Sequence, residues 1–238
     1  MKFSMLKRIY IHHPPTNALD CPILYDIYQN LQAAEKDSSV GCVLLESKKP
    51  FIFSSGLDLR RLLANKSGKI DLLRAVWLVY RINQLILRSS KIYIALLDGG
   101  IIGSAVSIVM ACDFRIASDR TWLWLPDPQY GGLLTDGGLE LLQRSVGFSL
   151  AKKFCMTNER INSQEAYDRG LFYQLTASEE LQKAAGSLIE NILTKSYTTL
   201  KHTKAILNRR ALTHFPLWRL LKTVYSKELE ERLKHYRL

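Results

Sequence analysis

The chain has 238 residues, of which 47% are hydrophobic and 23% charged, a composition typical of one large folded domain or of one domain with an appendage. Its 33 Lys and Arg against 22 Asp and Glu give a formal charge of +11, which favours an anionic partner: nucleic acid, a membrane surface or a phosphate-bearing small molecule. No apolar run is long enough to span a bilayer, and charge interrupts the N-terminus before a signal-peptide core can form. The four cysteines show no Cys-x-x-Cys spacing, so free thiols and a cytoplasmic location are expected.

The first half of the chain alternates short apolar strands with helices. In chain order, the predicted elements are strand 7–12, helix 22–35, strands 41–45 and 51–53, helix 72–87, strand 92–97, helix 103–111, and strands 114–117 and 121–125. Each repeat contains two strands and one helix. An α/β core that coils as a right-handed series of ββα turns is therefore expected, instead of one flat doubly wound sheet.

From Gly138 onward the pattern is helical throughout. Helices are predicted at 139–145, 149–156, 163–169, 178–194, 196–210 and 217–236. We divide the chain into a core, residues 1–195, and a C-terminal helical region, residues 196–238. Lys and Arg are concentrated from Lys201 onward, which fits either a solvated helix face or a phosphate-binding patch.

Two glycine-bearing turns each follow a buried strand. The first contains Gly56, and the second, which contains Gly99, Gly100 and Gly103, opens the predicted helix 103–111. A glycine at such a position allows a sharp turn and leaves the next backbone N–H groups unpaired. Two such donors that converge on one point would form an oxyanion hole. Neither turn has the spacing of a phosphate-binding loop.

Both turns lie in strings that are similar to those of the enoyl-CoA hydratase/isomerase (crotonase) family. The strings are FSSGLDL at 53–59, IALLDG at 94–99, MACDFRIAS at 110–118, LPD at 125–127, DGG at 136–138 and RINSQEA at 160–166. The likeness is collinear over about residues 8–175. It implies a crotonase-like superhelix of ββα repeats, with a helical C-terminal region through which subunits form a homotrimer or a dimer of trimers.

The resemblance implies an acyl-CoA thioester as substrate, with coenzyme A as part of that substrate and no separate cofactor. The carbonyl oxygen would be held as an enolate by the backbone N–H groups of Leu57 and Ser104. The substrate-binding positions carried over are Ser55, Gly56, Leu57, Asp58, Leu59, Gly103, Ser104 and Ser107. The phosphates of coenzyme A give the +11 charge a specific explanation, and neither nucleic-acid binding nor membrane insertion is expected.

The departures from the family pattern decide the expected activity. Family hydratases use two glutamates, whose positions are occupied here by Ser107 and Asp127, so that two-carboxylate hydration apparatus is absent. Helix spacing places Ser107 on the same side as Ser104, facing the pocket. Asp127 is either the catalytic acid or an ordering residue of a Pro-rich turn, and Asp136 is a second candidate acid.

The sequence thus favours an enoyl-CoA isomerase that shifts a double bond with a single acid/base. The alternatives are a divergent enoyl-CoA hydratase, another acyl-CoA converter, or a catalytically degenerate protein that binds acyl-CoA. The five histidines have no ligand-like spacing, so no metal site is expected.

Overall fold

The computed structural model describes residues 5–64, 67–209, 211 and 215–235. The strands in these residues are β1 (Met5–Ile11), β2 (Val40–Ser47), β3 (Ile52–Ser54), β4 (Ile92–Leu97), β5 (Gly100–Ile102), β6 (Phe114–Ser118), β7 (Trp122–Trp124), β8 (Ile161–Asn162) and β9 (Gln174–Thr176). The helices are α1 (Cys21–Lys36), α2 (Leu59–Leu63), α3 (Gly68–Arg88), α4 (Ser104–Ala111), α5 (Gly138–Val146), α6 (Phe148–Thr157), α7 (Ser163–Asp168), α8 (Leu181–Leu193), α9 (Tyr197–Asn208), α10 (Leu217–Val224) and α11 (Lys227–His235). Short 3₁₀ helices lie at Asp127–Tyr130 and Ser178–Glu180.

Two sheets divide the strands of each repeat between them. The larger sheet is parallel, with the order β1-β2-β4-β6-β9, and the smaller has the order β3-β5-β7-β8, with only β8 antiparallel to its neighbour. The pairs β2 and β3, β4 and β5, and β6 and β7 each contribute one strand to each sheet. The repeat of two strands and a helix is therefore present. Strands from successive repeats are neighbours in each sheet, so their ends lie side by side.

Three details of the sequence interpretation were wrong. The segment that begins at Gly100 is a strand, because it pairs with both β3 and β7. The second half is not helical throughout, since β8 and β9 extend the two sheets. β8 and β9 have two and three residues with one apolar side chain each, which is too few to produce a hydrophobic period. The predicted helix 217–236 is interrupted between α10 and α11, where the Ser226 hydroxyl accepts the N–H of Leu229 at 3.1 Å. Its predicted end, Tyr236, lies outside the described residues.

Both faces of the larger sheet are covered, which explains its continuous apolar strands. Side chains such as Leu45 and Tyr93 face the main core with α1 and α3, whereas Cys42, Leu44 and Ile94 face a second apolar layer that α8 covers. Across the described residues, no helix has both the length and the apolar character needed to cross a membrane.

A buried ion pair ties the C-terminal region to the core. Lys204 on α9 donates from Nζ to Asp113 Oδ2 at 2.6 Å and to the carbonyl oxygen of Lys91 at 2.8 Å, and it is only 5% exposed. This charge is thus neither solvated nor available for a phosphate. Breaking such a pair leaves the partner's charge buried and uncompensated, which costs about 3–5 kcal/mol.

Candidate active site

Gly56 and Gly103 lie in backbone contact because β3 and β5, which precede them, are neighbours in the smaller sheet. Gly56 has φ +77°, and a Cβ on it would lie 2.5 Å from the carbonyl oxygen of Ile102 and 3.5 Å from the Cα of Gly103. Only glycine allows both this conformation and this approach. The residues that follow the two turns, Leu57 and Ser104, are therefore brought to one place.

The backbone N–H groups of Leu57 and Ser104 have no acceptor within the described part of the chain. The neighbours of Leu57 make the hydrogen bonds to Leu19, and the Leu57 N–H takes no part in them. Leu19 N–H donates to the Gly56 carbonyl, and Asp58 N–H donates to the Leu19 carbonyl. Ser104 is the first residue of α4, where the N–H groups have no helical partner and the helix dipole favours negative charge. Both donors border the same cavity.

That cavity has a volume of about 590 Å³ and collects most of the candidate residues. Those that line it are Ser55, Leu57, Asp58, Leu59, Gly103, Ser104, Asp127 and Asp136. Gly56 and Ser107 lie behind this lining. Asp58 also has a structural task, because its carboxylate caps α2 by accepting the N–H of Arg61 at 3.0 Å.

Asp127 begins the short 3₁₀ helix beside the oxyanion turn. A Cβ built on Gly103 would lie 3.9 Å from Asp127 Oδ2, so this oxygen is close to the start of α4. Oδ2 is buried and has no hydrogen-bond partner among the described residues. Burial, together with the negative charge of Asp136, raises the pKa of Asp127 to about 7. Its carboxyl group is therefore able to carry a proton near neutral pH.

Asp136 is the second acid of the cavity, and it is almost completely buried. Its Oδ1 accepts the Ser107 hydroxyl at 2.6 Å and the Gly138 N–H at 3.1 Å, while its Oδ2 has no partner among the described residues. Burial raises the pKa of Asp136 to about 6, against the opposite effect of the hydroxyls of Ser107 and Ser104 and of the Gly138 N–H.

Two expectations for the site change as a result. Ser107 is fully buried, and its hydroxyl points to Asp136 instead of facing the cavity, because Asp136 and Gly138 fill the space in front of it. Besides Asp58, whose carboxylate caps α2, the cavity is lined by both candidate acids, Asp127 and Asp136, and not by one of them alone. The second carboxylate comes from the loop before α5.

The C-terminal helices form one wall of the cavity, which was not expected from the sequence. Leu220 and Val224 of α10 and Leu229 of α11 line the cavity, together with Leu72 and Val76 of α3, on which α10 packs. α11 packs directly on the loop after Asp127, where a Cβ on Gly131 would lie 3.2 Å from the Cα of Leu229. The spacing of α10 does predict a buried apolar face, but only the fold shows what that face covers.

The described residues contain no cluster of His, Cys, Asp and Glu that could hold a metal ion.

Comparison with known proteins defines the class. A family model described as enoyl-CoA hydratase/isomerase matches residues 4–221, and the chain belongs to this family. A probable enoyl-CoA hydratase of Bacillus subtilis is 31% identical over 195 residues, which cover 80% of this chain and 73% of that protein. A trans-2-decenoyl-[acyl-carrier-protein] isomerase of Streptococcus mutans is 30% identical over 191 residues, which cover 79% and 72% respectively.

Solved structures share the crotonase fold. An enoyl-CoA hydratase from Bacillus halodurans has a TM-score of 0.88 at 22% identity, covering 96% of this chain and 95% of that chain. The human mitochondrial delta3-delta2-enoyl-CoA isomerase has a TM-score of 0.87 at 20% identity, covering 97% and 92%. Both activities of the family thus occur on this fold.

Proposed function

We propose that the protein is an enoyl-CoA isomerase that moves the double bond of a 3-enoyl-CoA thioester into conjugation with its carbonyl group. One observation carries the proposal: a single cavity combines two backbone N–H groups without an acceptor and two carboxyl groups that each have a buried oxygen without a partner. The first pair suits a developing enolate oxygen, and the second suits proton transfer between carbons.

The Leu57 and Ser104 N–H groups serve as the oxyanion hole. Because their positions are fixed by the contact of Gly56 with Ile102, they need no rearrangement when the thioester oxygen becomes negative. Preorganised donors of this kind each contribute about 10²–10³ in kcat. The dipole of α4 adds to the stabilisation at Ser104.

The two carboxyl groups divide the proton transfer between them. Asp136, whose anion has two hydrogen-bond donors, removes a proton from carbon 2, and the electron pair of that C–H bond forms the dienolate. Asp127, in its protonated form, donates to carbon 4, and the double bond settles between carbons 2 and 3. The proton then passes from Asp136 back to Asp127 before the next turnover. This pair replaces the single acid/base expected from the sequence.

For the substrate and the assembly we propose what the family resemblance implies. Arg60 lines the cavity, where a guanidinium group suits the phosphates of coenzyme A, and the thioester brings the coenzyme as part of the substrate. Exposed apolar side chains on α9 and α10, namely Ile206, Leu207, Leu217 and Trp218, suit contacts in a homotrimer or dimer of trimers.

Hydration is the second candidate activity, and the presence of two carboxylates in the cavity favours it. Adding water to a 2-enoyl-CoA needs one group to activate the water and another to handle the proton at carbon 2. Isomerisation is preferred because position 107 on α4, where the family resemblance implies a glutamate of the hydration apparatus, is a serine whose hydroxyl is bound to Asp136.

The test is to incubate the wild-type protein separately with trans-3-hexenoyl-CoA and trans-2-hexenoyl-CoA and to follow the products by NMR. We expect conversion of the first to the 2-enoyl isomer and slow addition of water to the second. Efficient hydration with poor isomerisation would support the second candidate instead. A rise in the melting temperature with either thioester, without any product, would indicate a binding protein that has lost catalysis.

A further inference from the structure

We infer that Ser107 is a positioning residue that holds Asp136 as the ionised base of the site. The inference rests on the proposed function, because it assigns a task to a side chain that does not itself touch the substrate. Ser107, which the family resemblance places at the position of a glutamate, thereby has a role in the same reaction.

The hydrogen bonds of Asp136 divide its two oxygens by task. Oδ1 accepts both the Ser107 hydroxyl, at 2.6 Å, and the Gly138 N–H, at 3.1 Å, while the buried Oδ2 accepts nothing among the described residues. A short bond between a hydroxyl and a carboxylate stabilises the ionised form. Ser107 thus fixes one oxygen and leaves the other to act as a base.

Ser107 is tightly packed against Gly138, the first residue of α5. Ser107 is 0% exposed, and a Cβ on Gly138 would lie 1.9 Å from the Ser107 Oγ. Ser107 also lies one helical turn after Ser104 on α4. One rigid helix therefore sets both the oxyanion donor and the orientation of the base.

Among the described residues, no salt bridge to Asp136 compensates for the loss of this hydroxyl. The groups that face Asp136 are the Ser104 hydroxyl from the start of α4, the Asp127 carboxyl from the 3₁₀ helix and the Gly138 N–H from α5. From α3, the Asn83 amide donates to the Asp136 carbonyl oxygen at 2.9 Å.

A matched pair of variants tests the inference. Ser107→Ala removes the hydroxyl on Asp136, and Ser118→Ala removes a hydroxyl that is equally buried and donates to Asp98 Oδ1 at 2.7 Å, outside the cavity. The titration of the Asp136 carboxyl is followed by carbon-13 NMR, with Asp136→Asn identifying the signal. In Ser107→Ala we expect the pKa of Asp136 to rise by about one to two units, because a hydrogen bond to a charged group is worth about 1.5–3 kcal/mol. In Ser118→Ala it should not move.

The NMR titration needs no substrate, so it decides the role of Ser107 even if the protein proves not to be an isomerase. In the isomerase, the acidic limb of kcat/KM against pH should move upward with the pKa, so the loss of activity in Ser107→Ala should be larger at pH 5 than near pH 7. If Ser107→Ala leaves the Asp136 titration where Ser118→Ala leaves it, Ser107 only fills space and the inference is wrong. If Ser107→Ala does not fold, Ser107→Cys replaces it, because a thiol is a weaker donor of similar size. The pKa of Asp136 is then followed through the pH dependence of thermal unfolding, and it should again rise.

Discussion

Each carboxyl group of the cavity has an environment that sets its proton affinity. Asp127 has a buried oxygen without a donor, whereas Asp136 has two donors on one oxygen. Burial raises the pKa of both groups, that of Asp127 to about 7 and that of Asp136 to about 6. Between about pH 6 and pH 7 the pair therefore holds one proton, the state that an acid and a base working together require.

The first residue-level prediction concerns pH. Because isomerisation needs Asp136 ionised and Asp127 protonated, kcat/KM for trans-3-hexenoyl-CoA should follow a narrow bell with its maximum between about pH 6 and pH 7. The two limbs belong to the coupled pair. A profile that is flat from pH 5 to 9 would contradict the assignment of both groups.

The second residue-level prediction concerns stability. The folded pKa of Asp127 lies above its unfolded value, so the stability that this group contributes is present below about pH 4 and is lost as the pH rises through about 7. Asp127→Asn cannot ionise. The variant should therefore melt higher than the wild type at pH 8, with a difference that shrinks toward pH 4. Asp119→Asn, at an exposed carboxylate, is the control, and equal shifts in both variants would contradict the burial argument.

At the level of elements, the C-terminal helices do more than cover the core. Val224 on α10 lines the cavity, while Lys222 on the same helix is exposed. Val224→Trp should fill space that a long acyl chain uses and lower kcat/KM for decenoyl-CoA more than for hexenoyl-CoA. Lys222→Trp puts the same side chain outside the cavity and should leave the ratio unchanged. An unchanged ratio in Val224→Trp would mean that α10 does not border the bound acyl chain.

The elements also show where prediction from sequence succeeds and fails. Strand 92–97 and the turns at Gly56 and Gly103 are readable because apolar runs and glycines act locally. The orientation of Ser107 is not readable, because helix spacing gives its side of α4 but not the Gly138 and Asp136 atoms that fill that side. The short strands β8 and β9 form by pairing with strands that are distant in the sequence, so no local pattern predicts them.

At the scale of the whole molecule, the exposed apolar side chains of α9 and α10 predict self-association. Ile206 and Leu207 are 73% and 74% exposed, although both are apolar. We expect light scattering at micromolar concentration to give the mass of a trimer or of six subunits. Ile206→Glu with Leu207→Glu should reduce that mass if α9 forms the contact. A stable monomer of the wild-type protein would contradict the expected assembly.

The central claim is that a carboxyl pair in this cavity moves the proton, and the turnover of Asp127→Asn tests it most directly. The experiment measures kcat for trans-3-hexenoyl-CoA in the wild type, in Asp127→Asn and in the control Asp119→Asn. Binding of the thioester is measured separately by calorimetry. We predict that kcat falls by about 10²–10⁴ in Asp127→Asn alone while binding is retained, because the acid is lost and the shape of the cavity is kept. Isomerisation by Asp127→Asn at the wild-type rate would contradict the account.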